Sequence, residues 1–431
     1  MNRVLQVTFT LWLLIALSAC APTPTPAAKP TAVPPTAVPP VVAPTGARPT
    51  AQSQPTAISL TPVPAAQLNE LFFARPQGDA GPLIAYDMAI GAMRFSLPPG
   101  LVSADKQHYL AAKTGADTQL LEFDLATGAV APVAQLAGQW ELSSVSPTGR
   151  WAALTRNPSE SEKKAWAATN QWKTDVQVVD TQTGKVARQV GLEGNFAVDT
   201  LSATGDALFV IQYLPAVKPD HYQVRLFDLT TGTLQDGALV DKRAPDEVMA
   251  GQRWQAVAPR DGSWLFTLYL RTKNNTSFIH ALDTQNKYTL CFDLPTVKGN
   301  SLEQLRAYTL ALAPNGQTIY AANPALGMIA KIDLNSFAVT SAASFAPDPS
   351  ALSASAPVNY GVADKRRLYF TGGRNIWTFD ATTQKVTNLS SLDTFISGLA
   401  LGRDGQRLFV ARPDHLPIIL DTTSGQAFSF Q

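Results

Sequence analysis

The chain has 431 residues, with 34 basic against 33 acidic side chains. Arg3, Lys29 and Arg48 all precede residue 67, so 31 basic and 33 acidic residues lie beyond it. A near-neutral chain with interspersed signs and no basic block lacks the electrostatic footprint of a nucleic-acid binder, and its two cysteines, Cys20 and Cys291, are too few for a disulfide framework.

At the N-terminus, Arg3 precedes an apolar run, Val4–Leu17, of 14 residues. That is too short to span a bilayer and right for a signal peptide. The run ends in Leu17-Ser18-Ala19-Cys20, which resembles a bacterial lipobox. The resemblance implies that residues 1–19 are cut away and that Cys20 carries a diacylglycerol and an acylated amino group. Several acyl chains anchor stably where one binds only marginally. The expected location is the bacterial cell envelope, periplasmic or cell-surface, with the membrane as partner through the anchor. An ordinary secretory cleavage is the alternative.

Residues 20–66 follow as a linker. Residues 21–66 hold thirteen prolines and two charges, and Thr31–Pro35 repeats as Thr36–Pro40. Such a segment cannot build a core and favours extended polyproline II. It is expected to be a disordered spacer.

From residue 67 to 431 one turn recurs. An Asp closes a run of β-formers and a small polar hairpin follows, centred on Asp87, Asp124, Asp180, Asp228, Asp283, Asp333, Asp380 and Asp421. A second hairpin signal precedes each of the last seven, as in Ser146-Pro147-Thr148-Gly149, Arg260-Asp261-Gly262 and Pro314-Asn315-Gly316, with variants Ala104-Asp105-Lys106 and Ala363-Asp364-Lys365. Short strand-like runs separate the turns, such as Leu208–Ile211 and Leu368–Phe370. Two hairpins per unit at a period near ~50 residues predict an all-β propeller of four-stranded antiparallel blades. Eight Asp hairpins predict eight blades, the first one strand short; seven is the alternative. The repeated Asp is expected to cap backbone N–H groups.

The unit resembles the YVTN-type and WD-like bacterial propeller repeats, most closely at Ala313-Pro314-Asn315-Gly316 through Ile332-Asp333 and at Gly402-Arg403-Asp404-Gly405 through Leu420-Asp421. No Trp-Asp dipeptide occurs. The resemblance implies the fold and not a role, since these propellers host many. Eight-bladed quinoprotein-like propellers share a docking motif that Asp180, Thr183, Gly184 and Lys185 approach, but its Trp is replaced by Arg188. No quinone or other cofactor is expected.

Chemical motifs are sparse. His108, His221, His280 and His415 are unpaired at metal-ligand spacing and are expected at strand edges or loops, so no metal site is assigned. No nucleophile elbow or phosphate loop occurs, and no catalytic residue is assigned. Cys291 is expected to be a buried small hydrophobe. Loop-length variation falls on one face of the ring, the face of the connections that follow the second and fourth strands. Its most distinctive insertion runs from Asn157 to Lys173. There Lys163, Lys164, Trp166, Trp172 and Lys173 form a candidate binding patch, because Trp is enriched at binding hot spots; a short helix tucking one Trp onto the rim is the bland alternative. The expected role is a binding or scaffold module for a protein or glycan. The alternatives are a lactonase- or hydrolase-like enzyme with a site in the central channel, and a quinoprotein-like envelope-assembly module.

Overall fold

The computed structural model describes residues 61–62, 70–75, 81–352, 358–413 and 415–429. The expected signal peptide, Cys20 and most of the linker lie outside the described residues. Eight antiparallel sheets follow in chain order, over residues 71–97, 101–136, 140–193, 195–234, 252–293, 309–344, 361–391 and 398–429. We number them blades 1 to 8 and letter their strands A to D. Strands A of neighbouring blades touch around the central channel, and D lies at the rim. Among the described residues blade 1 has three strands, Leu71–Ala74, Leu83–Asp87 and Met93–Leu97, which correspond to B, C and D.

Blade 6 shows why the sequence folds this way. Its strands are Thr309–Leu312, Thr318–Asn323, Met328–Asp333 and Ala338–Ser344. Strand B is buried at every position. It carries a continuous run instead of an alternating one because a blade covers each of its faces. Rim strands behave differently: Lys185–Glu193 of blade 3 is exposed at most positions and dips inward only at Val190 and Leu192.

Apolar side chains fill the spaces between blades. Val176, Phe196 and Val210 pack between blades 3 and 4. Phe266, Ile279, Leu310 and Ile319 do so between blades 5 and 6. The ring closes where Phe72 and Tyr86 of blade 1 meet Phe409 and Ile419 of blade 8. Burying each such side chain contributes about 1.5–3 kcal/mol. One feature went unforeseen: Thr61–Pro62 pairs in parallel with the last strand, Thr61 opposite Phe428 and Pro62 opposite Ser429, which gives blade 8 a fifth strand. The sheet thus reaches into the stretch expected to be linker.

All eight recurrent aspartates cap their own turns. Each Oδ1 accepts the N–H two residues on, and in six turns also the N–H three residues on, as Asp228 does from Thr230 and Thr231. The Thr127 hydroxyl, then the backbone N–H groups, hold the Asp124 carboxyl below its ordinary range; the backbone bonds do the same first for Asp228 and Asp333, and hold Asp380 down to about 2. The residue four places after each Asp has positive φ in all eight turns, whether Gly, Lys287, Phe337 or Gln384.

Two expectations are corrected. His280 is neither edge nor loop: it lies within strand Thr276–Asp283 and is 1% exposed. It sits between Phe278 and Leu282 in the period-two pattern of a strand, so it shares their buried face. Cys291 is half-buried, because its strand, Tyr288–Asp293, is the rim strand of blade 5. Burial still pushes its thiol up to about 12.

Candidate functional sites

The insertion in blade 3 forms a helix, α1 (Glu160–Thr169), between strands B and C. Ser159 and Glu162 make a capping box. Ser159 Oγ accepts from the Glu162 N–H, and Glu162 Oε2 accepts from the Ser159 N–H at 2.8 Å. These bonds, with Arg156 nearby, hold Glu162 at about 2. Asn170 ends the helix with left-handed backbone.

No residue of α1 is fully buried; Glu162, Lys163 and Trp166 are half-buried and the rest are exposed. Trp166 and Trp172 meet edge-on, with ring centroids 5.4 Å apart. Arg156, reaching up from strand B, lies over Trp166 at 5.9 Å and bonds Glu162 and Asp175. Lys163 pairs with Glu160 at 2.8 Å and Lys173 with Glu193 at 3.0 Å, while Lys164 is exposed. Of the five expected patch residues, Lys163, Lys164 and Trp166 lie on α1, Trp172 follows it, and Lys173 begins strand C; Trp166 and Trp172 are the two that meet. The sequence reading missed Arg156, the side chain that covers Trp166.

A cavity of about 820 Å³ opens on the opposite face, where the short turns gather. Its walls include Phe73 and Val102, and its charged groups include Glu70, Lys106, Arg260 and Arg403. The A–B turns of several blades converge beside it: the Asp105 N–H donates to the Pro147 carbonyl at 3.1 Å. Burial, and secondarily Arg260, pull the Lys106 amine below its ordinary value. Glu70 Oε1 accepts from the Arg403 N–H, and its Oε2 is buried without a partner. Sequence reasoning found the turns that carry Lys106 and Arg260 but read them only as hairpins.

A second cleft, of about 580 Å³, lies between blades 4 and 5 on the long-loop face. Tyr213, Tyr222, Asp220, His221 and Arg271 are among its lining residues. Beneath it Asp199, on strand A of blade 4, faces Arg253, on strand A of blade 5, at 3.4 Å. The Asp199 side chain is 1% exposed. Burial raises its carboxyl, and Arg253 opposes that shift. Burial likewise raises the Tyr213, Tyr222 and Tyr269 hydroxyls and lowers His280 to about 4. Tyr222 and Tyr269 stack with centroids 5.0 Å apart. Among the described residues no group of three or more His, Cys, Asp or Glu side chains is placed to hold a metal. No helix among them is long and apolar enough to cross a membrane.

No family model and no curated protein matches the sequence. Solved structures do match it in shape. The dihydro-heme d1 dehydrogenase NirN, solved in complex with DHE, is 14% identical with a TM-score of 0.49, over 88% of this chain and 75% of that one. AztD from Citrobacter koseri is 13% identical with a TM-score of 0.42, over 75% and 95%. TolB from Acinetobacter baumannii is 12% identical with a TM-score of 0.37, over 75% and 64%. The identities and TM-scores are too low to carry a role from any of them to this chain.

Proposed function

We propose that this chain is a lipid-anchored propeller of the bacterial envelope that binds a protein or glycan partner through its long-loop face. The observation that carries the reading is α1. Its residues are exposed or at most half-buried, so it contributes little to the propeller's own core, yet its Trp166 meets Trp172 edge-on beneath Arg156. Rigid, partly exposed aromatics on a scaffold loop are well suited to be contact anchors. The anchor rests on the Leu17–Cys20 motif and the proline-rich stretch after it.

The test is a double variant, Trp166→Ala with Trp172→Ala, in the full-length protein. Native membranes are solubilised, the protein is captured, and copurifying material is compared with wild type. The expected result is loss of the partner at unchanged melting temperature. Retention of the same partner by the double variant rejects the patch. For the anchor, Cys20→Ser is expected to move the protein from the membrane fraction to the soluble one.

A further inference from the structure

Blade 1 differs from the other seven. Each of those has an inner strand A bonded to strand B, whereas blade 1 begins at strand B among the described residues. The Met88 N–H donates to the Glu70 carbonyl at 3.0 Å. Bonded and non-bonded pairs alternate along an antiparallel ladder. Leu71, opposite Asp87, and Phe73, opposite Ala85, therefore turn their N–H and C=O groups away from strand C and toward the channel. No described strand meets that edge. An open edge is a template for another extended chain. A strand A joined to Glu70 by a hairpin would have to begin near Pro62, yet Pro62 is held outside the four other strands of blade 8. Crossing those strands takes about 19 Å at the usual spacing. Seven extended residues span about 25 Å, which leaves too little length to run along strand B.

The chemistry of a strand added there follows from what surrounds it. Leu71 and Phe73 also wall the cavity of about 820 Å³, together with Val102 of blade 2, which is 40% exposed. Alternate side chains of an added strand fall on that apolar wall. The two carboxylates of the wall are engaged: Asp87 pairs with Arg94 at 2.9 Å, and Glu70 Oε1 accepts the Arg403 N–H at 3.2 Å. Lys106 and Arg260 have no ion-pair partner among the described residues. Arg260 lies close enough to add to burial in lowering the Lys106 amine. Two neighbouring cations without a carboxylate favour an anion between them. In blades 2 and 5, strand A ends at the turn that carries Lys106 or Arg260. A chain running in the direction of strand A therefore brings its C-terminal end to these cations.

We propose that the inner edge of blade 1 binds an extended peptide of a partner protein by strand addition. The peptide lies antiparallel to Leu71–Ala74, sets apolar side chains against Leu71, Phe73 and Val102, and places an acidic C-terminal end at Lys106 and Arg260. The stretch of this chain from 21 to 66 does not match that chemistry: it carries thirteen prolines, and its two charges, Lys29 and Arg48, have the sign of the site. The site lies on the face opposite α1 and does not depend on the Trp pair.

Fluorescence anisotropy on the purified full-length protein tests the site, with a synthetic peptide, TVTVTDD, labelled at its N-terminus and free at its C-terminus. It is expected to bind, and the basic counterpart TVTVTKK is not. The double variant Lys106→Glu with Arg260→Glu is expected to weaken binding at least about 10-fold at unchanged melting temperature, and added salt is expected to weaken it in the wild type. Amide exchange reads the strand addition itself: the peptide is expected to slow exchange at Leu71 and Phe73. N-methylation of the alternate peptide residues that face strand B is expected to abolish binding, and methylation of the others is not. Failure of TVTVTDD to bind, equal binding of TVTVTKK, or binding that leaves exchange at Leu71 and Phe73 unchanged overturns the proposal. So does concentration-dependent protection of those amides without peptide, which makes a second copy of this chain the occupant. Binding is expected to survive Trp166→Ala with Trp172→Ala, so this site and the α1 patch stand or fall separately.

Discussion

Gly425 and Gly232 occupy the same place, four residues after the recurrent Asp, and both have positive φ. They differ in their neighbours. A Cβ on Gly425 would lie 2.0 Å from the Leu389 carbonyl oxygen, on the rim strand of blade 7, whereas one on Gly232 would meet nothing within 4 Å. Gly232→Ala should therefore cost only the left-handed penalty, about 1–2 kcal/mol. Gly425→Ala adds a backbone collision and should cost several times as much, as denaturant titration would measure. Gln384 holds the same left-handed position with φ 55. Gln384→Gly relieves that strain at the expense of a floppier unfolded chain, so a net gain below about 1 kcal/mol is expected.

His280 makes the prediction about pH. Burial lowers it to about 4 in the folded protein, against an ordinary value of about 6.5. Between those values the unfolded chain takes up a proton that the folded chain refuses. Stability from this group is full above pH ~6.5 and is lost as pH falls toward 4, by on the order of 3 kcal/mol. Asp199 acts in the opposite sense: its raised carboxyl favours the folded state at low pH and loses that effect as pH rises through the folded value. Comparing wild type with His280→Asn isolates the histidine, and the variant should show a flatter stability profile between pH 6.5 and 4. Equal slopes would contradict a neutral buried imidazole.

At the scale of elements, the repeated hairpins were legible because their chemistry is local. An Asp oxygen caps N–H groups two and three residues away, and a glycine or equivalent takes the left-handed turn. The two hairpin turns of blade 6, at Pro314-Asn315-Gly316 and after Asp333, fall where the sequence signals them. The cap of α1 was also present as Ser159-Glu160-Ser161-Glu162, a capping box within four residues. Ser159→Ala should fray this helix, a loss of roughly 1 kcal/mol of helix stability, seen as faster amide exchange over residues 160–169 while the propeller itself is unaffected. The polar interface of blades 4 and 5 was not legible. It depends on which faces of Tyr222 and Tyr269, far apart along the chain, turn toward each other. The channel-mouth cavity was hidden for the same reason: Lys106 and Arg260 meet only because the ring brings distant turns together.

At the scale of the whole molecule, seven blade boundaries are crossed by continuous chain from rim strand to inner strand. The boundary between blades 8 and 1 is held by side-chain packing around Phe72 and Phe409, by close contact of Gly398 with Ala74, and by the bond from the Arg403 N–H to Glu70. Local opening should begin there. Hydrogen exchange followed by mass spectrometry is expected to show blades 1 and 8 exchanging first, and Phe409→Ala, a loss of about 3–5 kcal/mol, should speed exchange in those two blades before any other. Uniform exchange around the ring would contradict this.

The pairing of Thr61–Pro62 with the final strand has a mechanical consequence. Tension entering from the N-terminal side is received first by blade 8, through two residues aligned beside Phe428 and Ser429. Because the two strands run parallel, such a pull loads their hydrogen bonds in a direction set by the last strand of the chain. Stretching by optical tweezers should thus give an early, low-force release of that short clasp, with the rest of the rosette yielding only at a higher load.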